Sequence, residues 1–287
     1  MWISDKWEDY EIIDTSSGEK LERWGRYTLV RPDPQVIWHT EKKHPLWRRA
    51  DASYKRSSSG GGAWGANRLP ESWTIRYRDL TFQVKPMGFK HTGIFPEQAA
   101  NWDFCRELIE SADRPIKVLN LFAYTGGASV ACAKAGASVC HVDASRGMVA
   151  TAKENARLSG LSEAPIRYIV DDCKKFIERE IMRGNTYDGI IMDPPSYGRG
   201  PTGEVWKIEE SIDAFVELTS RVLSDSPLFF LLNSYTTGLS ASTMKYITDA
   251  RLLSKFHGKS RAEELGLPVM ESGLALPCGS SVRVVFD

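Results

Sequence analysis

The stretch that most constrains the fold of this chain is a short apolar run that ends in a pair of glycines. Residues 117–122 read K-V-L-N-L-F, which is typical of a strand buried in a parallel sheet. A-Y-T-G-G follows, and the small residues over 128–135 predict a helix. Gly126 and Gly127 can adopt φ > 0 and let the backbone approach a ligand, which the unpaired N–H groups of the helix start would face. We therefore predict a ligand pocket at the end of this strand.

From Phe95 onward the chain alternates between apolar, β-prone runs and helical segments. Pro96 followed by Glu97 and Gln98 is typical of a first helical turn. This alternation predicts an α/β domain. The predicted strands are 117–122, 138–143, 166–170, 187–193, 228–233, 273–277 and 282–286, and the predicted helices are 96–110, 128–135, 145–158, 173–182, 207–223 and 240–253.

The first 92 residues have a different character. They hold seven of the nine tryptophans and are interrupted by proline and glycine. Such punctuated β-prone segments predict a small, mostly β domain over residues 1–92, followed by a second domain over 93–287. Asp79 would lie at the turn of a hairpin. The β-prone segments are 27–30, 36–38, 73–77 and 80–85.

Positive charge and aromatic rings are concentrated between residues 42 and 68. The formal net charge of the chain is zero, so only a local patch could attract a polyanion. One interpretation is nucleic-acid binding, with cations on phosphates and rings stacked on unpaired bases. The other is a solvated loop whose aromatic residues fold back into a small core. Residues 57–62, S-S-S-G-G-G, predict a flexible tip. The basic residues are Lys42, Lys43, Arg48, Arg49, Lys55, Arg56 and Arg68, and the aromatic residues are Trp47, Tyr54 and Trp64.

The cysteine content indicates a reducing compartment. Five cysteines in no tight pattern suit the cytosol better than a disulfide framework. The absence of Cys-x-x-Cys and His-x-x-x-His patterns argues against a zinc site. The first residues, M-W-I-S-D, do not resemble a signal peptide, and no apolar stretch is long enough to span a bilayer. We therefore expect a cytoplasmic protein without a bound metal.

Acidic residues end three successive predicted strands after the glycine pair. Asp143 could accept two hydrogen bonds from ribose hydroxyls, and Asp171 or Asp172 could bind the exocyclic amine of an adenine. Asp193 ends the next strand. Each acid alone is better explained as a helix N-cap or a loop residue. Together they favour a nucleotide-like ligand at the carboxyl edge of the sheet. The absence of G-x-G-x-x-G argues against a dinucleotide dehydrogenase.

The loop after the fourth strand, Asp193-Pro194-Pro195-Ser196-Tyr197, is the most specific signal in the chain. Two prolines fix φ and remove both N–H donors, so the loop is stiff and presents carbonyl oxygens. A carboxylate and a carbonyl can accept two hydrogens from an amine, and Tyr197 could stack on a planar ring. This loop predicts an acceptor site for a planar amine.

Four motifs resemble a known family: L-N-L-F-A-Y-T-G-G, H-V-D-A-S, V-D-D-C and I-M-D-P-P-S-Y. They resemble the S-adenosylmethionine-dependent methyltransferases with a Rossmann-like sheet, and most of all the subgroup that methylates bases of large-subunit ribosomal RNA. Residues 90–98, K-H-T-G-I-F-P-E-Q, resemble that subgroup's K-T-G-x-F-L-D-Q lead-in. The likeness covers about 90–287. It implies a seven-stranded sheet with helices on both faces.

The resemblance also implies a role for each motif. Phe95 and Gln98 would flank the cofactor S-adenosylmethionine, and Asp143 with Ala144 would lie at its ribose. Asp172 and Cys173 would lie at the adenine. Asp193 would reach the cofactor as well as the methyl acceptor. The methionine part would lie against Tyr124, Thr125, Gly126 and Gly127, and the catalytic residues would be Asp193, Pro194, Pro195 and Tyr197.

The acceptor atom is the remaining question. A nitrogen needs orientation and a base, which Asp193 could supply. Carbon 5 of cytosine needs a cysteine nucleophile, and residues 233–237 hold none. Cys278, predicted in the loop between the last two strands, is more simply an inert thiol. We therefore predict methylation of a base nitrogen in ribosomal RNA. Two alternatives stay open: a protein or small-molecule acceptor, and a module that binds the cofactor without turnover.

Overall fold

The computed structural model describes residues 1–57, 61–65, 68–199, 205–236 and 238–287. The chain forms two compact units. The β unit comprises Trp2–Ala100 and Leu265–Cys278, and the α/β unit comprises Met1, Asn101–Glu264 and Gly279–Asp287. Residues 58–60 of the predicted flexible tip lie outside the described residues.

The β unit is built mainly from one five-stranded sheet and one hairpin. In the sheet, β2 to β6 lie in chain order, and every pair is antiparallel except β4 with β5. The hairpin of β7 and β8 turns at Arg78 and Asp79, as predicted. The strands are β1 Trp2–Ile3, β2 Tyr10–Ser16, β3 Glu19–Trp24, β4 Tyr27–Pro32, β5 Ala52–Arg56, β6 Gly62–Gly65, β7 Trp73–Tyr77 and β8 Leu80–Val84.

One predicted strand in this unit is wrong. Residues 36–38 form a loop, in which the carbonyl groups of Val36 and Trp38 accept the N–H groups of Gly18 and Ser17. The apolar side chain of Val36 is buried in the core. The carbonyl groups of Val36 and Trp38 thus bind a tight turn at Ser17 and Gly18 rather than a neighbouring strand, and the segment packs in the core without joining the sheet.

The α/β unit contains the predicted alternation of strands and helices. Pro96–Gln98 forms a 3₁₀ turn that leads into α1, in agreement with the predicted helix start. The strands are β9 Lys117–Leu121, β10 Ser138–Asp143, β11 Ile166–Val170, β12 Gly189–Met192, β13 Tyr197–Arg199, β14 Val205–Lys207, β15 Phe229–Ser234, β16 Gly258–Pro268 and β17 Ala275–Phe286. The last two strands each have residues in both units. The helices are α1 Ala99–Glu110, α2 Gly127–Lys134, α3 Arg146–Leu158, α4 Cys173–Arg183, α5 Ile208–Ser220 and α6 Ala241–Thr248, the last followed by a π-helical turn at Asp249–Leu253.

The main sheet has eight strands rather than the predicted seven, in the order β1-β16-β17-β15-β12-β9-β10-β11. The strands β9, β10, β11, β12 and β15 pair in parallel, and β17 is antiparallel to β15. The eighth strand is β1, which pairs with β16 at Trp2 and Leu265. The penultimate strand is 258–268 rather than the predicted 273–277.

Helices cover both faces of this sheet, as predicted. Along β15, Phe230 and Leu232 belong to the core with α4, α5 and α6, whereas Phe229 and Leu231 belong to the core with α1 and α2. Successive side chains of a strand point to opposite faces, so an unbroken apolar run is what a doubly covered strand requires. The loops at the carboxyl ends of β9 to β12 therefore start from strands that are packed on both faces.

Candidate active site

Four adjacent parallel strands bring the predicted acids to one edge of the sheet. In the order β12-β9-β10-β11, Met192 pairs with Leu121, and Asp143 pairs with Val170. Backbone bonds continue past the strand ends, because the N–H of Asp171 donates to the carbonyl of Asp143 at 3.1 Å. The loops that follow the four strands thus start side by side.

The loop after β9, residues 122–127, is called the cofactor loop below. Gly126 has φ +83°, and a Cβ at that position would lie 2.8 Å from the Cβ of Ala152, so both its conformation and its packing require glycine. Phe122 and Tyr124 also have positive φ, at 55° and 50°. Such conformations cost a non-glycine residue about 1–3 kcal/mol each and persist only when the surroundings impose them.

Neighbouring elements hold the cofactor loop in this shape. The N–H of Phe122 donates to the Sγ of Cys173 at 3.3 Å, and the side-chain amide of Asn155 donates to the carbonyl of Thr125 at 2.8 Å. Burial raises the pKa of the Cys173 thiol, so the sulfur stays protonated and neutral. Cys173 therefore supports the loop rather than acting as a nucleophile.

Asp143 connects two strand-end loops. Its Oδ2 accepts the N–H of Tyr124 and its Oδ1 accepts the N–H of Ser145, each at 2.8 Å. Burial raises the pKa of the carboxyl group, and these two hydrogen bonds oppose that effect. Each carboxylate oxygen can accept a further hydrogen bond, so the pair suits two adjacent hydroxyls. The following residue, Ala144, is exposed.

Asp172 is the N-cap of α4, which is the simpler of the two roles that the sequence suggested. Its Oδ1 accepts the N–H of Lys175 at 2.9 Å in the first turn of α4, and the residue is exposed at the same edge of the sheet. The neighbouring Asp171 forms an ion pair with Arg179. Of these two acids, Asp172 therefore retains the more accessible carboxylate.

The loop after β12, residues 193–197, is called the acceptor loop. Asp193 is half-buried and Pro194 is buried, whereas Pro195 and Ser196 are exposed and Tyr197 is 51% exposed. The N–H of Asp193 lies 3.5 Å from the carbonyl of Leu121, the residue before the cofactor loop. The predicted catalytic residues thus form one short segment beside that loop.

Hydrogen bonds to residues later in the chain hold the acceptor loop in place. The Ser196 hydroxyl lies 2.5 Å from that of Thr236, and the Ser196 carbonyl accepts the N–H of Ile208 at 3.1 Å. The Pro195 carbonyl accepts the Trp206 indole N–H at 2.6 Å. The Pro194 carbonyl accepts no hydrogen bond from any residue that the structure describes. It can therefore accept a hydrogen bond from an N–H group of the methyl acceptor.

A buried polar group behind the cofactor loop was not predicted from the sequence. The Asn120 amide donates to the Ser129 hydroxyl at 2.9 Å, and that hydroxyl lies 2.9 Å from Nδ1 of His141. Burial lowers the pKa of His141 to about 4, so the ring is neutral. The three residues join β9, α2 and β10 beneath the loop. Asn120 and His141, polar residues inside otherwise apolar strands, were a signal that could have been read, but nothing local indicates their contact with Ser129.

Cys278 does not lie in a loop, contrary to prediction. It is part of β17 and belongs to the β unit, where its Sγ donates to the carbonyl of Leu276 at 3.3 Å. Burial, followed by the negative charge of Glu97, raises the pKa of the thiol well above its usual range. A thiol held protonated in this way is a poor nucleophile.

Phe95 and Gln98 also belong to the β unit. The Phe95 ring makes an edge-on contact with His91 at 5.5 Å, and Gln98 is buried in the 3₁₀ turn before α1. Trp7 and Ser4 fix this turn by donating to the carbonyl groups of Pro96 and Glu97. The contact of Phe95 and Gln98 with the cofactor stays a prediction.

The aromatic residues between 42 and 68 fold back into the β unit. The indole N–H of Trp47 donates to Asp14 at 2.8 Å, that of Trp64 donates to the carbonyl of Met87 at 2.8 Å, and Tyr54 is buried. Trp47 and Trp64 are only partly buried, so the stacking of these rings on bases stays a prediction. Lys42 is also engaged, since it pairs with Glu19 and lies over the Trp47 ring.

Five of the six predicted RNA-contacting cations are exposed at the surface, and four of these five lack an ionic partner among the described residues. Lys43 pairs with Glu41 at 3.3 Å, and both side chains are exposed. The other four are exposed, and none makes an ion pair with another described residue. They are Arg48, Arg49, Lys55 and Arg56.

The fold and the strand-end loops define the class of Rossmann-like enzymes that bind a nucleoside-containing cofactor at the carboxyl edge of a sheet. A family model described as S-adenosylmethionine-dependent methyltransferase matches residues 16–209, and the chain belongs to that family. A solved structure, the SAM-dependent methyltransferase of Agrobacterium tumefaciens, is 37% identical, with a TM-score of 0.92 over 99% of this chain and 93% of that one. The protein is an S-adenosylmethionine-dependent methyltransferase, as the motifs implied.

Curated relatives share a part of this chain. Ribosomal RNA large subunit methyltransferase K/L of Shewanella sp. is 34% identical over 134 residues, which are 46% of this chain and 18% of that protein. Ribosomal RNA large subunit methyltransferase I of Cronobacter sakazakii is 24% identical over 217 residues, 68% of this chain and 54% of that protein. The chain thus spans about a fifth to half of these relatives.

A second solved structure resembles the fold at lower identity. A methyltransferase complexed with SAH is 19% identical, with a TM-score of 0.74 over 98% of this chain and 76% of that one. Within the ranges that the structure describes here, no helix is long and apolar enough to cross a membrane.

Proposed function

We propose that this methyltransferase acts on a nitrogen of a base in ribosomal RNA. The proposal is supported by the acceptor loop, in which the backbone N–H of Asp193 lies 3.5 Å from the carbonyl of Leu121 and the Pro194 carbonyl accepts no hydrogen bond from a described residue. The names of the relatives support ribosomal RNA as the substrate.

The cofactor would be held by residues of the strand ends. Bound S-adenosylmethionine supplies a methyl group on a positively charged sulfur. Asp143 would accept the ribose hydroxyls, because each of its oxygens accepts one backbone N–H and keeps capacity for another bond. Tyr124, Thr125, Gly126 and Gly127 would line the methionine part, with Phe95 and Gln98 flanking the cofactor. Ala144, Asp172 and Cys173 would complete the nucleoside end.

The acceptor loop would orient the amine. Asp193 and the Pro194 carbonyl each accept one hydrogen, which fixes the direction of the nitrogen lone pair. The carboxylate then receives the proton that the nitrogen releases. Tyr197, with half of its surface exposed, would stack on the base. Because the prolines cannot change φ, the geometry is set before the substrate arrives.

Carbon methylation is less well supported. It requires a thiolate at the substrate base. Cys173 is buried and accepts the N–H of Phe122, while Cys278 is fixed in a strand of the β unit, and burial raises the pKa of both thiols. A nitrogen acceptor needs neither of them.

Exposed cations of the β unit would bind the RNA backbone. Arg48, Arg49, Lys55 and Arg56 are exposed without ionic partners in the described ranges, so they can pair with phosphates without breaking an existing bond. Lys42 and Lys43 would contribute less, since each pairs with a glutamate. Residues 1–92 would thus recognise the substrate, and residues 93–287 would carry out catalysis in the cytoplasm.

Tritiated methyl transfer tests the proposal. Ribosomal RNA from cells that lack the protein should accept label from S-adenosylmethionine, whereas RNA from wild-type cells, already methylated, should accept little. Asp193→Ala should lower kcat about 100-fold or more while the cofactor still binds in calorimetry. Labelling of protein or small molecules, with none of RNA, would overturn the proposed acceptor.

A further inference from the structure

Trp206 contacts the acceptor loop through Pro195 and is not among the predicted site residues. It is part of β14, where it pairs with Gly198 of β13. Its indole N–H donates to the carbonyl of Pro195 at 2.6 Å. Its ring packs against Phe215 of α5 with a centroid separation of 5.4 Å. The side chain is therefore fixed both by a hydrogen bond and by the core of the α/β unit.

The same ring also contacts the cofactor loop. The centroids of Trp206 and Phe122 are 5.8 Å apart, and Phe122 in turn lies 5.6 Å from Phe215. Phe122 is the first residue after β9 and has a left-handed backbone. One side chain thus contacts the loop expected to hold the methyl donor and the loop expected to hold its acceptor.

The prolines explain why such a contact is needed. Neither Pro194 nor Pro195 has an N–H group, so within this dipeptide only the carbonyl oxygens can form backbone hydrogen bonds. Trp206 binds the carbonyl of Pro195 and leaves that of Pro194 without a bond to any described residue. The stiff dipeptide is thereby fixed through one carbonyl, while the other stays available.

We infer that Trp206 is a positioning residue, which holds the acceptor loop in place against the cofactor loop without touching either reactant. The inference rests on the proposed function, because methyl transfer requires a fixed position of the acceptor loop relative to the cofactor loop. In-line transfer depends on the approach of donor and acceptor, and a displacement of 1 Å can cost about 100-fold in rate.

Trp206→Phe tests this role, since it removes the N–H donor and keeps an aromatic ring. We expect kcat to fall about 10- to 100-fold, while the Kd for S-adenosylmethionine and the KM for RNA change by less than about threefold. Amide hydrogen exchange at Ser196, Tyr197 and Gly198 should become faster, a readout that needs no activity. Trp73→Phe is the matched control, because Trp73 also donates its indole N–H to a backbone carbonyl, that of Trp24 at 3.0 Å.

Each outcome decides the matter. An unchanged kcat or an unchanged exchange rate would overturn the role of Trp206, as would an equal fall in kcat for the Trp73 variant. Loss of cofactor binding would show that Trp206 maintains the cofactor loop alone and would also overturn it. If the unaltered protein binds the cofactor but methylates no RNA, the proposed function fails, and hydrogen exchange still decides whether Trp206 holds the acceptor loop.

Discussion

The Oδ2 atom of Asp143 accepts the backbone N–H of Tyr124 at 2.8 Å. The bond joins the acid at the end of β10 to a left-handed residue in the loop after β9, where φ is 50°. Because that conformation is unfavourable for tyrosine, the carboxylate helps to impose it. The group expected to bind the ribose therefore also shapes the loop expected to bind the methionine part.

Asp143→Asn should weaken cofactor binding. The amide removes the negative charge and one of the two acceptor oxygens, so either Tyr124 or Ser145 loses its partner. Hydrogen bonds to charged groups are worth about 1.5–3 kcal/mol, which corresponds to a roughly 10- to 100-fold rise in Kd. Calorimetry with S-adenosylmethionine measures it. Asp213→Asn, in an exposed ion pair with Arg251, is the control and should leave Kd unchanged.

Cys278→Ser should retain methyl transfer. The thiol is kept protonated by burial and donates to the carbonyl of Leu276 within β17, a bond that a serine hydroxyl can replace. We expect kcat within about twofold of the unaltered enzyme, measured with tritiated cofactor. Complete loss of transfer with intact cofactor binding would instead favour carbon 5 as the acceptor atom.

His141 should make the protein less stable in acid. Its folded-state pKa of about 4 lies below the ordinary 6.5, so between these values the unfolded chain binds a proton that the folded protein does not. The free energy of unfolding should therefore be level above about pH 6.5 and fall towards pH 4, by at most about 3 kcal/mol from this residue. His141→Asn should be less stable at pH 7.5 and show a shallower acid slope.

Urea unfolding at a series of pH values between 4.5 and 7.5 measures both slopes. His39→Asn, at an exposed position, is the control and should keep the slope of the unaltered protein. An equal slope in the His141 variant would mean that the acid sensitivity arises elsewhere, and His91 is the first residue to examine, because burial lowers its pKa to about 4 as well.

Replacing Arg48, Arg49 and Lys55 by alanine should weaken RNA binding and reduce its dependence on salt. Each phosphate contact to a single strand contributes roughly 0.7 to the slope of log K against log salt, so loss of three contacts should reduce the slope by about 2. Filter binding at salt concentrations from about 50 to about 300 mM measures this slope. Alanine at Lys153, Lys174 and Arg221, exposed cations of the α/β unit without an ionic partner among the described residues, is the matched control. Equal slopes for both triple variants would remove these residues from the interface.

The elements with strong local signals could be predicted from the sequence. The strands at 138–143 and 166–170 match their predicted bounds, because each apolar run is closed by an aspartate that cannot continue into the core. The start of α1 and the turn at Asp79 depend on Pro96 and on a two-residue hairpin, which are equally local.

Other features depend on contacts between distant segments. The strand β16 reads G-K-S-R-A-E-E-L-G-L-P and lacks an apolar run, so its extended form depends on its place in the sheet. Cys278 lies between Pro277 and Gly279, which predict a turn, yet β17 runs on to pair Ser280 with Ser234. The roles of His141 and Trp206 depend on Ser129 and on Pro195, and no local pattern indicates either contact.

The cofactor loop, with its two left-handed non-glycine residues, takes its shape from partners that come later in the chain. Asp143, Asn155 and Cys173 supply the bonds that hold it, and the last of these is 51 residues beyond Phe122. A nascent polypeptide that ends before residue 173 lacks the Cys173 bond and also β12, which pairs with β9, so we expect that it cannot form the finished pocket. Affinity for the methyl donor then becomes a marker of how far synthesis and folding have advanced.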